Sequence, residues 1–221
     1  MINVIPQVVA RADALTLGRD IASAYWVDGN VTSGEGAALA KRNRQLPEDS
    51  KAAARARRIV QQALAATPLF LSAALPRAIY PPLFNRYGPA DFFAAHIDNA
   101  IRIDPASGQQ LRTDLSATLF LSEDYEGGEL VIAGGSGQRL QAGDMLLYPA
   151  TSIHQVAEVT RGERICCFFW IESLVRDGGA REILFELDQT VQALTAERGG
   201  DDGEVLRLTG IYHNLVRRWS S

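Results

Sequence analysis

The chain of 221 residues is 47% hydrophobic, 22% charged and 8% aromatic, which allows a sizeable core and shows none of the bias of a disordered or fibrous chain. A formal net charge of -4 and a pI near 5.4 exclude the dominating basic field that nucleic-acid binding requires. No apolar stretch approaches the roughly 20 residues of a membrane span, and MINVIPQVVARAD lacks a basic region followed by a long apolar one, so neither a membrane nor export is expected.

Residues 1–76 read as a mostly helical support that opens on a short apolar strand, INVI, and a helix from Ala10 to Tyr25. A Gly-rich connection, VDGNVTSGEG, leads to PEDSKAAARARRIVQQALAATP. Pro and acids stand ahead of its Ala- and Arg-rich middle and Pro68 stands behind, which are the start and stop signals of a helix. The basic stretch from Lys41 to Arg58 reads as a solvated helix face, on a helix that would cover a sheet.

From Arg77 the period changes to two. AIYPPLFNRYG, DFFAAHID, LSATLFLS, GELVIAG, GDMLLYPATS, HQVAEV and ERICCFFW are short, rich in aromatic and β-branched residues, and separated by Gly, Pro, Asp and Ser. Over 77–175 they predict an antiparallel sandwich or barrel, with the jelly roll (double-stranded β-helix) the natural candidate, so the fold class is mainly β with flanking α. Residues 176–221 return to helix as a hairpin, REILFELDQTVQALTAERG then EVLRLTGIYHNLVRRW, whose apolar stripe includes Val205, Leu208, Tyr212, Leu215 and Trp219. That stripe suits either a cap on the barrel or the pairing of two chains as a homodimer. Cys166 and Cys167 are adjacent in ICCFFW and would point to opposite strand faces, a poor disulfide pair. Small buried hydrophobes in a reducing cytoplasm is the expected reading.

The chemistry is concentrated in DFFAAHID. Strand alternation puts Phe92, Ala94, His96 and Asp98 on one face, so an imidazole and a carboxylate converge. Two histidines and one carboxylate with open positions suit a non-haem Fe(II) oxygenase, although an H-x-D pair alone would equally make a hydrogen-bonded surface pair. The chain has three histidines, and of the other two His213 falls beside the last helix's stripe, where packing or a capping hydrogen bond is expected. His154 opens a strand far enough from Asp98 for intervening strands to bring them together, and is the expected third ligand. Ten residues on, Arg164 starts the next strand. With a turn near Arg161 and Gly162 it would pair near Glu158, roughly 13 Å from His154 at strand rise. Such a gap suits a ligand that touches a metal at one end and a guanidinium at the other. A ferrous ion with one Asp carries net +1, a dicarboxylate adds -2, and one arginine closes the sum at zero. Taken alone, Arg164 would pass for a surface hairpin charge.

His96-x-Asp98, His154 and Arg164 on a barrel resemble the 2-oxoglutarate and Fe(II)-dependent dioxygenases. RTDLSATLFLSEDYEGGEL and GDMLLYPATSIHQVAEVTRGERICCFFWIES, with the early WVDGNVTSGEGAALAKRNRQL and the closing YHNLVRRW, look like the bacterial PKHD-type hydroxylases nearly end to end. The resemblance implies Fe(II) on His96, Asp98 and His154, and 2-oxoglutarate chelating the iron with its distal carboxylate on Arg164. It also implies O2 as the second cosubstrate and L-ascorbate as a reductant, and hydroxylation with release of succinate and CO2. It puts Tyr87, nine residues before His96 and one residue off the spacing in related prolyl hydroxylases, beside the cosubstrate. Trp170, on the same strand face as Arg164, would line the pocket, with packing as its other use. Arg112, Thr113 and Asp114 follow DPASGQQL, a loop that could close over substrate or simply turn into a strand. Gly127 and Gly128 suit a hairpin turn. Kinship to prolyl hydroxylases implies a peptide or amino-acid substrate, and iron-uptake associations in the family imply a siderophore-related molecule. A cupin-like metal enzyme without the keto acid and a noncatalytic sensor on the same barrel are the rivals; Arg164 argues against the first and the intact triad against the second.

Overall fold

A computed structural model describes residues 1–32, 41–104 and 107–221. The last four residues of the Gly-rich connection expected after the first helix, 33–36, with 37–40 beyond it, and Pro105 and Ala106 of the DPASGQQL loop lie outside the described residues.

The chain opens with β1 (Asn3–Ile5) and α1 (Arg11–Ala22), which buries Ala14, Leu17, Gly18 and Ile21 at helical spacing. Then come β2 (Val27–Asp28), a 3-10 turn (Gly29–Thr32), β3 (Lys41–Arg42) and β4 (Arg44–Gln45). The front of the basic stretch is thus strand, not the solvated helix face expected, and Lys41 is only 9% exposed. Its helix, α2 (Lys51–Ala65), starts only where Ser50 can cap it by accepting from the Ala53 N–H at 3.1 Å. Pro68 stops α2 as expected, but it also opens α3 (Pro68–Ala74), a helix that the residue pattern did not suggest.

The strands continue with β5 (Pro76–Ile79), β6 (Leu83–Tyr87), β7 (Phe92–His96), β8 (Ile101–Ile103) and β9 (Gln110–Arg112). After them come β10 (Leu115–Phe120), β11 (Tyr125–Gly127), β12 (Leu130–Ile132), β13 (Met145–Pro149), β14 (His154–Val156), β15 (Val159–Gly162) and β16 (Arg164–Ser173). The major sheet runs β1-β13-β10-β16-β6-β4-β2, with β5 paired to the far end of β16, and the minor sheet runs β12-β14-β7-β3. Two-stranded ribbons, β11 with β15 and β8 with β9, complete an antiparallel jelly roll.

One expected pairing is overturned. β15 does not fold back on β16 through a turn at Arg161 and Gly162; it pairs with β11, and β16 pairs with β10 and β6, which sets Arg164 opposite Tyr87 rather than near Glu158. The cause is the two-sided burial of β16, which needs strands along both edges and cover on both faces. Cys167, Phe169 and Ile171 face the helices and join a core with α1, α2 and α3, while Arg164, Cys166, Phe168 and Trp170 face the barrel interior. β10 and β13 divide likewise, Leu119 and Leu147 outward to the helices and Phe120 and Leu146 inward. Strands covered on both faces read as continuous apolar runs, which is why the period was weak in ICCFFW.

The C-terminal hairpin is α4 (Gly178–Arg198), capped by Asp177, and α5 (Gly203–Trp219), capped by Asp202. It rests on α3, where the Ser72 hydroxyl donates to Asp188 at 2.6 Å, and its end returns to the barrel as the Ser221 N–H bonds the Leu174 carbonyl at 3.0 Å. Val205 of the stripe is buried, and Leu208, Tyr212, Leu215 and Trp219 are half-buried. Among the described residues no helix is long and apolar enough to cross a membrane.

A close approach fixes α1 on the barrel. A Cβ at Gly18 would lie 2.2 Å from the Leu121 carbonyl oxygen. Gly to Ala in an open helix adds up to about 1 kcal/mol of stability. Gly18→Ala should instead destabilise by about 1–3 kcal/mol through overpacking, read as a fall in the urea midpoint at unchanged slope.

Candidate functional site

The pairing of β14 with β7 puts His154 directly opposite His96, and Asp98 follows two residues after β7. One ligand atom from each of the three lies within 4.8 Å of the others. His154 Nε2 is 3.7 Å from Asp98 Oδ2, and the two imidazoles sit 4.2 Å apart at 54°. Each ring is oriented by its own backbone: Nδ1–H of His96 donates to the Ala94 carbonyl at 2.8 Å, and that of His154 to the Ser152 carbonyl at 3.0 Å. A carbonyl can only accept, so both protons sit on Nδ1 and both Nε2 lone pairs are free for a cation. Burial, then the neighbouring His154, lowers the His96 pKa to about 4, which keeps that ring a neutral donor at ordinary pH. The Ser116 hydroxyl donates to Asp98 Oδ2 at 2.6 Å, Phe93 stacks on His96 at 3.6 Å, and Tyr148 meets His154 edge-on.

Arg164 lines the same cavity and is 1% exposed. Its Nη1 donates to Cys166 Sγ at 2.9 Å, while Nε and Nη2 are buried without a partner among the described residues. The guanidinium lies 5.3 Å from the ring centroids of both Tyr87 and Phe120. Cys166 passes the bonding on, donating to Asn85 Oδ1 at 2.6 Å, and Asn85 donates to the Tyr87 hydroxyl at 3.3 Å. Burial raises the Cys166 thiol pKa, so it remains a donor. Cys166 is therefore a hydrogen-bonding link as well as a small buried residue. The sequence did contain the signal, since Cys166 and Asn85 each stand two residues from a site residue on the same strand face. Gly128, expected only as a turn, has a second consequence: at φ +66° it fits against Arg164, whose Cδ would lie 3.0 Å from a Cβ there.

Trp170 lines the cavity and carries a second guanidinium, that of Arg102, 3.8 Å from its ring centroid. Arg112, expected at the substrate pocket, is corrected to a structural role. It grips Asp114 through Nε and Nη2 at 2.8 and 3.0 Å and reaches the Ser173 carbonyl at 3.2 Å, outside the cavity wall. Thr113 donates to the Asn99 carbonyl at 2.6 Å and Asp114 accepts from the Ser173 N–H, so the three residues fasten β9 to the segment after Asp98 and to β16. His213 is exposed and touches Tyr212 edge-on, neither packed nor capping.

The 2OG-Fe(II) oxygenase superfamily matches residues 82–172, and the PKHD-type hydroxylase C-terminal domain matches 178–221. A PKHD-type hydroxylase of Rhizorhabdus wittichii is 57% identical over 205 residues, covering 90% of each chain. The chain belongs to the PKHD-type hydroxylase family. A prolyl-4-hydroxylase of Pseudomonas putida shares the fold at TM-score 0.53 and 18% identity, over 78% of this chain and 92% of that one. HygX from Streptomyces hygroscopicus, solved with nickel, 2-oxoglutarate and hygromycin B, does so at 0.52 and 16%, over 76% and 81%.

The donor set fits the metal and cosubstrate of a PKHD-type hydroxylase. Two neutral imidazoles and a carboxylate suit a borderline divalent ion, and two unpartnered guanidinium nitrogens suit a carboxylate. Ser116 is the outer support of that set. Ser116→Ala should lower the affinity for Mn(II), titrated with 2-oxoglutarate present, by about 10–100-fold. Unchanged affinity would show that Asp98 is oriented without it.

Proposed function

We propose that His96, Asp98 and His154 hold a ferrous ion, that Arg164 binds the distal carboxylate of 2-oxoglutarate beside Tyr87, and that the enzyme hydroxylates a C–H bond of a substrate admitted to the same cavity. The observation that carries this reading is the sealed guanidinium of Arg164, with two nitrogens unpartnered, in one cavity with three convergent metal donors. A buried unpaired cation is costly, and a dianion that spans metal and arginine removes the cost at both ends. When bound, the ion and keto acid supply the oxidising chemistry, in which O2 is consumed, 2-oxoglutarate leaves as succinate and CO2, and one oxygen atom enters the substrate.

The chain's own residues bind, orient and exclude water. His96 and His154 keep their protons on Nδ1 toward the backbone, and Ser116 holds Asp98 in place. Phe120, Leu130 and Tyr148 form an apolar interior around the centre, in which the charge of Arg164 is screened less than in water. No side chain is required as a general base. Residues 77–175 carry the catalysis, with 1–76 and 176–221 as supports. The enzyme works in the cytoplasm, with ascorbate as a reductant for the iron, on a peptidyl or small-molecule substrate, and the remaining exposed apolar residues of the hairpin, Leu206 and Ile211 among them, offer a face for a second copy.

Anaerobic addition of Fe(II) and 2-oxoglutarate should give the visible charge-transfer band of the chelate, followed by succinate release on admission of O2. Arg164→Ala should weaken 2-oxoglutarate binding on the order of a hundredfold. A wild-type sample that binds iron but never develops the band would return the site to a cupin-like enzyme without the keto acid.

A further inference from the structure

We infer that Arg102, assisted by Lys41, is an anion-recognition site for the substrate, so that the molecule hydroxylated carries a carboxylate or phosphate beside Trp170. This rests on the function proposed above and adds the substrate's charge class to it.

Strand alternation sends Arg102 inward. Its neighbours on β8, Ile101 and Ile103, are 49% and 60% exposed, whereas Arg102 lines the cavity. The guanidinium carbon lies 3.8 Å from the Trp170 ring centroid and 5.9 Å from that of Tyr80. A guanidinium held against aromatic rings keeps N–H groups for a planar or tetrahedral anion. Among the described residues no side chain makes an ion pair with Arg102, and its Nε is buried without a partner.

Lys41 is a second cation lining the same cavity. Its Nζ donates to the Gly29 carbonyl at 2.8 Å and lies 5.1 Å from the Phe93 ring, which leaves ammonium protons unspent. Burial, then the charge of Arg102, lowers the Lys41 pKa to about 8, with Asp28 opposing the shift. Of the carboxylates near the pair, Asp28 acts on Lys41 as a counter-charge, Asp98 accepts from Ser116 and belongs to the metal cluster, and Glu48 lies 3.7 Å from Arg57.

The charges then leave a remainder. A ferrous ion, Asp98, 2-oxoglutarate and Arg164 sum to zero. Arg102 and Lys41 add +2, against which Asp28 beside Lys41 supplies -1; the remaining +1 a neutral substrate would leave uncompensated and a carboxylate or phosphate would balance. The keto acid cannot serve, since both of its ends are already held.

The test uses the full chain loaded with Mn(II) and saturating 2-oxoglutarate, and reads dissociation constants by calorimetry for matched probes. In one arm hippurate and benzoate are compared with their neutral amides, and in the other phenyl phosphate is compared with benzenesulfonamide. The anions of at least one arm should bind about tenfold tighter or more than their neutral partners, and the arm that does so identifies the group. Arg102→Gln should abolish the preference, Arg102→Lys should retain part of it, and Lys41→Gln should weaken it less. Neutral probes that bind as well as the anions, or a preference that survives Arg102→Gln, would overturn the inference. The Fe(II)–2-oxoglutarate band, recorded on the same proteins, keeps the two readings apart. A band of wild-type strength in Arg102→Gln shows an intact centre, whereas an anion preference without a band in the wild type would sink the catalytic reading and leave the anion site standing.

Discussion

A guanidinium sealed in a barrel, with a thiol as its one hydrogen-bond partner among the described residues, is the constraint on which the site depends. Arg164 is 1% exposed, and its Nε and Nη2 have no partner among those residues. Removing an arginine from water costs several kcal/mol after relaxation, and a single weak acceptor such as Cys166 Sγ returns little of that. The surroundings are arranged to keep the charge in place rather than to neutralise it: Tyr87 and Phe120 flank it, Gly128 makes room for its stem, and Asn85 and Cys166 orient one nitrogen. The energetic deficit is the source of specificity, because a ligand that supplies a carboxylate there recovers the desolvation cost already incurred in folding.

The metal donors are assembled by a different rule. Arg164 belongs to the long major sheet, whereas His96 and His154 face each other across two strands of the minor sheet. The cavity is the space between the sheets, so its two functional ends are set by separate ladders of backbone hydrogen bonds. Asp98 couples them, since it stands beyond β7 of the minor sheet and accepts from Ser116 of β10 in the major sheet. A shift of one sheet against the other would therefore be felt at the carboxylate ligand first.

Much of this was legible in the residues, and the failures share a cause. His96, Asp98 and His154 could be joined because a strand period puts the first two on one face and each residue type is a metal donor. The expectation for Arg164 reached a buried cation through charge balance alone, while the geometry offered for it, a hairpin from β15, was wrong. Local turn signals at Arg161 and Gly162 say nothing about which distant strand takes the hydrogen bonds, and β11 took those of β15. Arg112 was put at the pocket for its place after a Gly-containing loop, and Arg102 was not singled out. Whether an arginine meets a carboxylate, as Arg112 meets Asp114, or an indole, as Arg102 meets Trp170, depends on tertiary neighbours that sequence order does not reveal. Lys41 was misread for the same reason: a basic residue in a basic run looks solvated until a strand pairing turns it inward.

β16 shows how one strand can carry both stability and chemistry. Its odd residues, Cys167, Phe169 and Ile171, pack under the helices, and its even residues, Arg164, Cys166, Phe168 and Trp170, line the cavity. A register slip by one residue would carry Arg164 into the apolar core and Phe169 into the cavity, costing a buried charge and a large cavity together. The pairing of β16 with β10 and β6 along its length, with β5 at its far end, makes that slip prohibitive. The same parity sets Arg164 and Trp170 six residues apart on one face, so the cation proposed for the cosubstrate and the ring that carries Arg102 are held at a fixed separation by a single rigid element. On the roles proposed for the two arginines, discrimination between two anions in one cavity would follow from strand geometry, with no need for either arginine to move.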